Sequence, residues 1–259
     1  RSLPPEKLNV AMGSYVAATV AGGFAGRLLG GGLHPHPGWR AAFIVVSLLV
    51  LAATWAAARW LPPEPPRGPD ASLAPGFRDL LRRPDLQLIF VVALAAFFVF
   101  SSVFNYLPFY LAAPPFQAPP GRITLMYLAY VVGIVVAPLA GRLSNRIGNG
   151  PTLAGGALVC GASLALTLVP SRTAVAAGLT GVCAGFFAIH AAAAGLLNRT
   201  LTGSRGRANS LYVLYYYTGG AVGIPVSGMA YQAQGWVGVA GLGGMLLAIP
   251  LLTGLWAAS

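Results

Sequence analysis

His190 is the only ionisable side chain deep within the apolar sequence that follows residue 85, in the run Phe186-Phe187-Ala188-Ile189-His190-Ala191. An ionisable group inside a long apolar segment indicates a functional site, and imidazole titrates near neutral pH. It could bind a substrate or carry a proton. The alternative is a neutral histidine that only hydrogen-bonds a neighbouring helix, and the sequence leaves both interpretations open.

Catalytic chemistry needs partners that this sequence does not provide. All acidic residues lie in the first third of the chain: Glu6, Glu64, Asp70, Asp79 and Asp85. A membrane-embedded enzyme could combine His190 with Ser163 or Ser227, but no carboxylate would orient the imidazole. We therefore expect no catalytic residue and no enzyme, and keep this class as an alternative. We also expect no metal or cofactor, since His34 and His36 lack a third ligand and the two cysteines lie in apolar runs.

Composition indicates a polytopic membrane protein. The 259 residues are 56% hydrophobic and 8% charged, with a mean hydropathy of +0.72. A membrane-crossing helix needs about 20 apolar residues. Eight such spans are predicted: 9–33, 39–61, 86–112, 122–141, 151–170, 173–197, 208–231 and 236–257.

The net charge of +11 does not indicate nucleic-acid binding, because the basic residues occupy short links between spans. One set of links holds Arg1, Lys7, Arg59, Arg67, Arg78, Arg82, Arg83, Arg142, Arg146, Arg199, Arg205 and Arg207; the other holds Arg40, Arg122 and Arg172. The positive-inside rule places the richer set, and with it both termini, in the cytoplasm. The proline-rich connection 62–85 ends in 77–83, either an amphipathic surface helix or a solvated linker.

An internal repeat predicts the domain organisation. Residues 11–39 and 208–236, offset by 197, are identical at nine of 29 positions, including Tyr-Val, Gly-Gly and Gly-Trp pairs. The first and seventh spans are then equivalent, and the repeat is six spans long. This predicts that 1–61 holds the last two helices of an N-terminal half, 62–85 is a cytoplasmic linker and 86–259 is a six-helix C-terminal half. Four earlier helices would be absent from the chain.

Glycines are spaced along the first span so that helix backbones can approach closely: Gly13, Gly22, Gly26, Gly30 and Gly31. Gly219, Gly220, Gly223 and Gly228 in the seventh span are the equivalents of Gly22, Gly23, Gly26 and Gly31. The first set resembles the fifth-helix motif of drug:proton antiporters of the major facilitator superfamily, with Arg27 where the family has Pro. Arg27 either extends toward the headgroups or provides charge in a cavity.

Further segments resemble the same family. Gly38-Trp39-Arg40-x-x-Phe43 is similar to the start of its sixth helix. The segment with Gly141, Arg142, Asn145, Arg146 and Gly148 resembles its signature cytoplasmic gating loop, here between helices eight and nine. Asn145 replaces the usual Asp, which puts a strong ionic latch in doubt. The pattern Phe186-Phe187-x-x-His190 and the segment 105–110 resemble the bacterial efflux-permease branch related to multidrug and arabinose exporters.

The resemblance implies an all-α fold, with eight helices of a twelve-helix transporter in the bacterial inner membrane. It implies alternating access and proton-coupled export of a small molecule, with protons, substrate and lipid as partners. We expect cavity residues among Phe104, Asn105, Tyr127, Phe186, His190 and Tyr216. Coupling carboxylates would lie in the missing helices rather than at His190. An inactive truncated transporter is the further alternative, and the substrate and transport direction are not predicted.

Overall fold

The computed structural model describes residues 14, 18–19, 21–26, 29, 38–60, 75–201 and 203–258. Every regular element in these residues is a helix. The helices are α1 (Gly38–Trp60), α2 (Phe77–Leu81), α3 (Pro84–Ala112), α4 (Pro120–Met126), α5 (Ala129–Ile147), α6 (Asn149–Leu166), α7 (Arg172–Thr200) and α8 (Arg205–Trp256). The prediction of an all-α membrane protein is confirmed.

Seven of the eight predicted spans coincide with these helices. Within the described residues, five helical segments are long and apolar enough to cross a membrane: 40–60, 84–112, 120–147, 172–200 and 205–256. The 52 residues of α8 would extend about 80 Å, enough for two crossings. Its helical path breaks at Gly235 (φ 60°, ψ −145°), between the predicted spans 208–231 and 236–257. The 18-residue α6 matches 151–170. Of the span 9–33, only ten residues are described, and all are helical.

Short links make consecutive helices alternate in direction, so the bundle has two distinct ends. At one end, Arg199 Nη2 donates to Asn145 Oδ1 (2.7 Å), and both Ser204 Oγ (2.8 Å) and Arg207 Nη1 (2.9 Å) donate to the carbonyl oxygen of Pro75. We call this the arginine-rich end. These bonds bring together three links that the positive-inside rule assigned to one side.

The opposite end is held by aromatic stacking and hydrogen bonds. Tyr110 and Trp236 stack with ring centroids 4.5 Å apart and an interplanar angle of 5°. Both bond Thr167: the tyrosine hydroxyl donates to its carbonyl (2.9 Å), and the indole N–H to its Oγ1 (2.9 Å). Arg172 Nη2 donates to the Phe116 carbonyl (2.6 Å). Four helices thus meet here.

The core forms where α8 packs against α3. A Cβ added at Gly219 would lie 2.8 Å from the carbonyl carbon of Leu94, and one at Gly223 would lie 3.0 Å from the Cα of Phe98. Such close approach strengthens van der Waals contact between helices in lipid. Hydrogen bonds also join the pair, because Ser227 Oγ donates to Ser102 Oγ (2.7 Å).

The glycines of the first span differ from those of α8 in their described surroundings. Within the described residues, no atom lies within 4 Å of a Cβ added at Gly22 or Gly26. Gly13, Arg27, Gly30 and Gly31 lie outside the described residues. Close packing by this span therefore stays a prediction.

The backbone supports the internal repeat at one pair of positions. Gly38 has φ +80° and its equivalent Gly235 has φ +60°, a left-handed region that favours glycine. Each precedes a tryptophan and begins a new helical segment. The same sequence element therefore starts a span in the same way at positions 197 residues apart.

The connection 62–85 is described from residue 75 onward and is helical over Phe77–Leu81. Asp79 Oδ2 accepts from the N–H of Gly76 (2.9 Å), which satisfies a backbone donor at the helix start. Leu80 is fully buried while Phe77 is exposed. The segment is therefore a short amphipathic helix that docks on the arginine-rich end rather than a freely solvated linker.

Helix α1 contributes little to the core that α3 and α8 form. Large apolar side chains are exposed along it, with Phe43 68% and Trp55 66% exposed, whereas α3 buries most of its length. A boundary between two halves along the chain would separate these helices. The division into 1–61, 62–85 and 86–259 stays a prediction.

We expect Gly219→Ala to destabilise the protein by about 1–3 kcal/mol, because the new methyl group meets the backbone of α3. Gly241→Ala is the matched control on the same helix, where a Cβ has no neighbour within 4 Å among the described residues. Thermal unfolding in detergent should show a lower midpoint for the first variant only. Equal midpoints would contradict close α3–α8 packing.

Candidate functional site

A cavity of about 520 Å³ lies between α3, α5, α7, α8 and the first span, near the middle of α3, of α7 and of the part of α8 before Gly235. Its described lining is Thr19, Gly23, Phe97, Phe100, Ser101, Asn105, Tyr130, Phe186, Phe187, His190, Tyr216, Tyr217, Gly220, Ala221 and Ile224. None of these residues is an aspartate, glutamate, lysine or arginine. Four of the six predicted cavity residues are in this lining.

The α3 wall follows from helical periodicity. Phe97, Ser101 and Asn105 are spaced four residues apart and therefore share one face. Asn105 Nδ2 donates to the carbonyl oxygen of Ser101 (2.7 Å), which holds the amide beside its own helix. Phe100 stacks on Phe186 of α7, with centroids 4.0 Å apart. The wall is aromatic with two polar groups.

The α7 wall uses the same spacing, because Phe186 and His190 are four residues apart. Their rings are nearly parallel, with an interplanar angle of 2° and centroids 6.1 Å apart. His190 Nδ1 lies 2.8 Å from the hydroxyl oxygen of Tyr212 on α8. His190 thus lines the cavity and also hydrogen-bonds a neighbouring helix. The structure is therefore compatible with a ligand-binding histidine and with a neutral histidine that joins two helices.

The four tyrosines of α8, at positions 212, 215, 216 and 217, have different surroundings, because residues that span a full helical turn cannot all face one side. Tyr216 and Tyr217 line the cavity, and Tyr216 stacks on Phe97 with centroids 3.9 Å apart. Tyr212 is buried behind His190, and Tyr215 donates to Gln87 Oε1 (3.3 Å) outside the lining.

Phe104 and Tyr127 lie behind the described lining rather than in it. Pro108 has no N–H, so the helix leaves the carbonyl of Phe104 without its usual partner four residues later. Tyr127, at the break between α4 and α5, donates its hydroxyl to that carbonyl (3.0 Å). Backbone groups inside a bilayer must be satisfied within the protein, and Tyr127 does this here.

The predicted gating loop is mostly helical. Residues 141–147 form the end of α5, and Gly148 alone (φ +94°) turns the chain into α6. The prediction of a loop over 141–148 is therefore wrong in extent. The arginines end the apolar run, but they do not interrupt helical hydrogen bonding. Asn145 accepts a hydrogen bond from Arg199, so contact with α7 is retained without a carboxylate. Arg142 and Arg146 are exposed.

Sequence reasoning missed several lining residues. Thr19, Gly23, Phe97, Phe100, Ser101, Tyr130, Phe187, Tyr217, Ala221 and Ile224 were not predicted cavity residues, and Gly220 was predicted only as a packing residue. The four-residue spacing from Asn105 back to Phe97 was an available signal. The position of Tyr130 could not be predicted from such spacing, because it depends on the break after α4.

Apolar helices surround a cavity whose described lining holds no aspartate, glutamate, lysine or arginine, which is the architecture of a polytopic membrane protein. The family model of the Major Facilitator Superfamily matches residues 1–171. The chain therefore belongs to the Major Facilitator Superfamily, and the resemblance inferred from the motifs is confirmed.

Relatives extend the match beyond residue 171. The chain is 30% identical over 255 residues to "Inner membrane transport protein YnfM" of Escherichia coli (strain K12), covering 96% of this chain and 61% of that protein. It is 25% identical over 258 residues to "Uncharacterized MFS-type transporter YybF" of Bacillus subtilis (strain 168), covering 98% and 63%. The chain thus spans about three fifths of the length of these relatives.

We expect Tyr127→Phe to destabilise the protein by about 1–3 kcal/mol, because the carbonyl of Phe104 loses its donor in an apolar interior. Tyr217→Phe is the control, since Tyr217 lines the cavity and is 56% exposed. The thermal unfolding midpoint in detergent should fall for Tyr127→Phe alone. An unchanged midpoint would show that the hydroxyl is not needed to satisfy this carbonyl.

Proposed function

We propose that the protein is a secondary active transporter that exports a small molecule in exchange for protons. The cavity between α3, α5, α7 and α8 would be this chain's part of the substrate site. Its position at mid-depth carries the proposal, since transporters bind substrate near the bilayer midplane and expose it to each side in turn. The partners would be the substrate, protons and the surrounding lipid.

The size and chemistry of the cavity support binding of an organic molecule. A volume of about 520 Å³ lies within the range of small-molecule sites, which are about 300–1,000 Å³. Aromatic faces provide most of its surface, and a few groups such as Asn105 and His190 can orient a ligand. This composition favours a compact, largely apolar substrate over a sugar, which needs many hydrogen bonds.

Alternating access requires contacts at each end that can form and separate. At the arginine-rich end, the Arg199–Asn145 bond joins α5 to α7 through one charged donor. Both residues are exposed and belong to the same predicted half, so the bond can hold the end of α5 in place while the two halves move against each other. We propose that the end of α5 with Gly141, Arg142, Asn145, Arg146 and Gly148 forms part of the cytoplasmic gate.

The charge distribution supports an orientation in which the arginine-rich end faces the cytoplasm. Eight described arginines lie at or next to this end: Arg78, Arg82, Arg83, Arg142, Arg146, Arg199, Arg205 and Arg207. The relative YnfM is named as an inner membrane protein. We propose the same membrane for this protein, with the chain's ends on the cytoplasmic side.

Proton coupling would rest on a carboxylate outside the described spans. The only acidic residues in the described part of the chain are Asp79 and Asp85, both at the arginine-rich end and away from the cavity. Buried carboxylates are common proton carriers in transporters. His190 would then contribute to substrate binding rather than carry the coupled proton.

The proposal is tested in inverted vesicles that carry the protein expressed from its complete gene and a pH-sensitive dye. Lipophilic cations, sugars and small acids are added in turn, and we expect at least one class to release protons from the acidified lumen. Tyr216→Ala should weaken that response, because it removes a cavity wall. Leu214→Ala, on the exposed face of the same helix, should leave it unchanged.

A lack of response from correctly inserted protein across the panel would contradict proton-coupled export of these substrates. Equal losses for Tyr216→Ala and Leu214→Ala would show that the cavity is not the substrate site.

We expect His190→Ala to lower transport only partly, on the order of the loss of one hydrogen bond, or several-fold. The ratio of protons released to substrate moved should stay the same. Paired measurement of dye response and substrate uptake in the vesicles gives this ratio. Complete loss of proton coupling, with insertion intact, would assign the coupling step to His190 instead.

A further inference from the structure

Tyr212 on α8 is in hydrogen-bond contact with His190 on α7. Its side chain is buried, at 3% exposure, and its hydroxyl lies 2.8 Å from His190 Nδ1 and 3.5 Å from the carbonyl oxygen of the same residue. The imidazole is itself part of the cavity lining. With Nδ1 occupied by the tyrosine, Nε2 is the ring nitrogen left for a ligand.

The hydroxyl has a single proton, so its two neighbours compete for it. At 2.8 Å the contact with Nδ1 has the length of a strong hydrogen bond, whereas 3.5 Å is at the outer limit. The carbonyl of His190 is also within α7, where helical N–H groups bond such oxygens. We take the hydroxyl as the donor to Nδ1, because the reverse direction would leave its hydrogen with only the carbonyl at 3.5 Å as an acceptor; the hydrogen of a neutral imidazole is then on Nε2.

The surroundings of this donor are aromatic. His190 lies parallel to Phe186, and the ring centroid of Tyr216 is 4.9 Å from that of His190. Phe97 and Phe100 continue the same wall across to α3. The described lining contains no full charge that could compensate an ion, and burying an uncompensated ion is costly.

We infer that Tyr212 is a positioning residue that fixes His190 as a hydrogen-bond donor, and that the cavity selects a planar aromatic compound with an uncharged hydrogen-bond acceptor at its ring edge. The inference rests on the proposed function only in taking this cavity as the substrate site. The ring would stack on the aromatic walls, and the acceptor would meet Nε2–H.

The position of the proton is tested without any ligand. The protein carries ¹⁵N-histidine, and every histidine other than His190, including His34 and His36, is replaced by glutamine; a purification tag without histidine is used. At a pH where imidazole is neutral, the ¹⁵N shifts should show protonated Nε2. Tyr212→Phe should give a mixture of tautomers, whereas Tyr217→Phe should not. A Nδ1-protonated imidazole in the unsubstituted Tyr212 protein would overturn the inference.

Ligand selection is tested with two planar bicyclic probes, quinoline with an acceptor nitrogen and indole with a donor N–H. Binding to the purified complete protein is measured by ligand-observed NMR against empty micelles. We expect quinoline to bind about tenfold more tightly, the value of one hydrogen bond. Tyr212→Phe should bring the ratio toward one, whereas Phe186→Ala should weaken both probes together.

Equal binding of the two probes, binding of neither, or a ratio that Tyr212→Phe leaves unchanged would overturn the inference. Neither measurement depends on transport. Failure of the vesicle assay with these results intact would therefore count against the proposed function alone, and the reverse result would count against the assignment of Tyr212.

Discussion

Because Gly219, Gly220 and Gly223 carry no Cβ, α8 lies with its backbone directly against α3. That approach brings Phe97 into face-to-face contact with Tyr216 and lets Ser227 reach Ser102. The aromatic side of α3 is then directed toward α7, where Phe100 meets Phe186. Because α3 and α8 approach this closely, their large side chains lie to one side of the contact, and there they line the cavity.

The second constraint is that backbone groups must be satisfied without water. Pro108 frees a carbonyl in α3, and Tyr127 bonds it from the break between α4 and α5. That break also brings Tyr130 to the cavity. At the ends of the bundle, Arg199 with Asn145 and Trp236 with Thr167 join helices through few hydrogen bonds. The described helices are therefore packed closely along their middle and joined by side-chain hydrogen bonds at both ends.

The span pattern was predictable because apolar length is a strong, local signal. Asn105 and His190 were also predictable from a local signal, because each is a polar group within an apolar run. The structure brings both to one cavity. Tyr127 was not predictable as a carbonyl partner, since its role depends on a proline nineteen residues earlier and on tertiary packing. The extent of α5 was underestimated because a hydropathy criterion stops at Arg142, whereas a helix continues to the glycine that ends it.

The central claim, that substrate occupies the cavity beside α8, is tested most directly by cysteine protection. Every cysteine of the complete protein, including Cys160 and Cys183, is replaced by alanine, and Ala221→Cys places a new thiol in the cavity lining. Ser210→Cys is the control on the exposed surface of the same helix. A transported substrate should slow alkylation at position 221 and not at 210. Unchanged alkylation at 221, at a substrate concentration that saturates transport, would contradict the account.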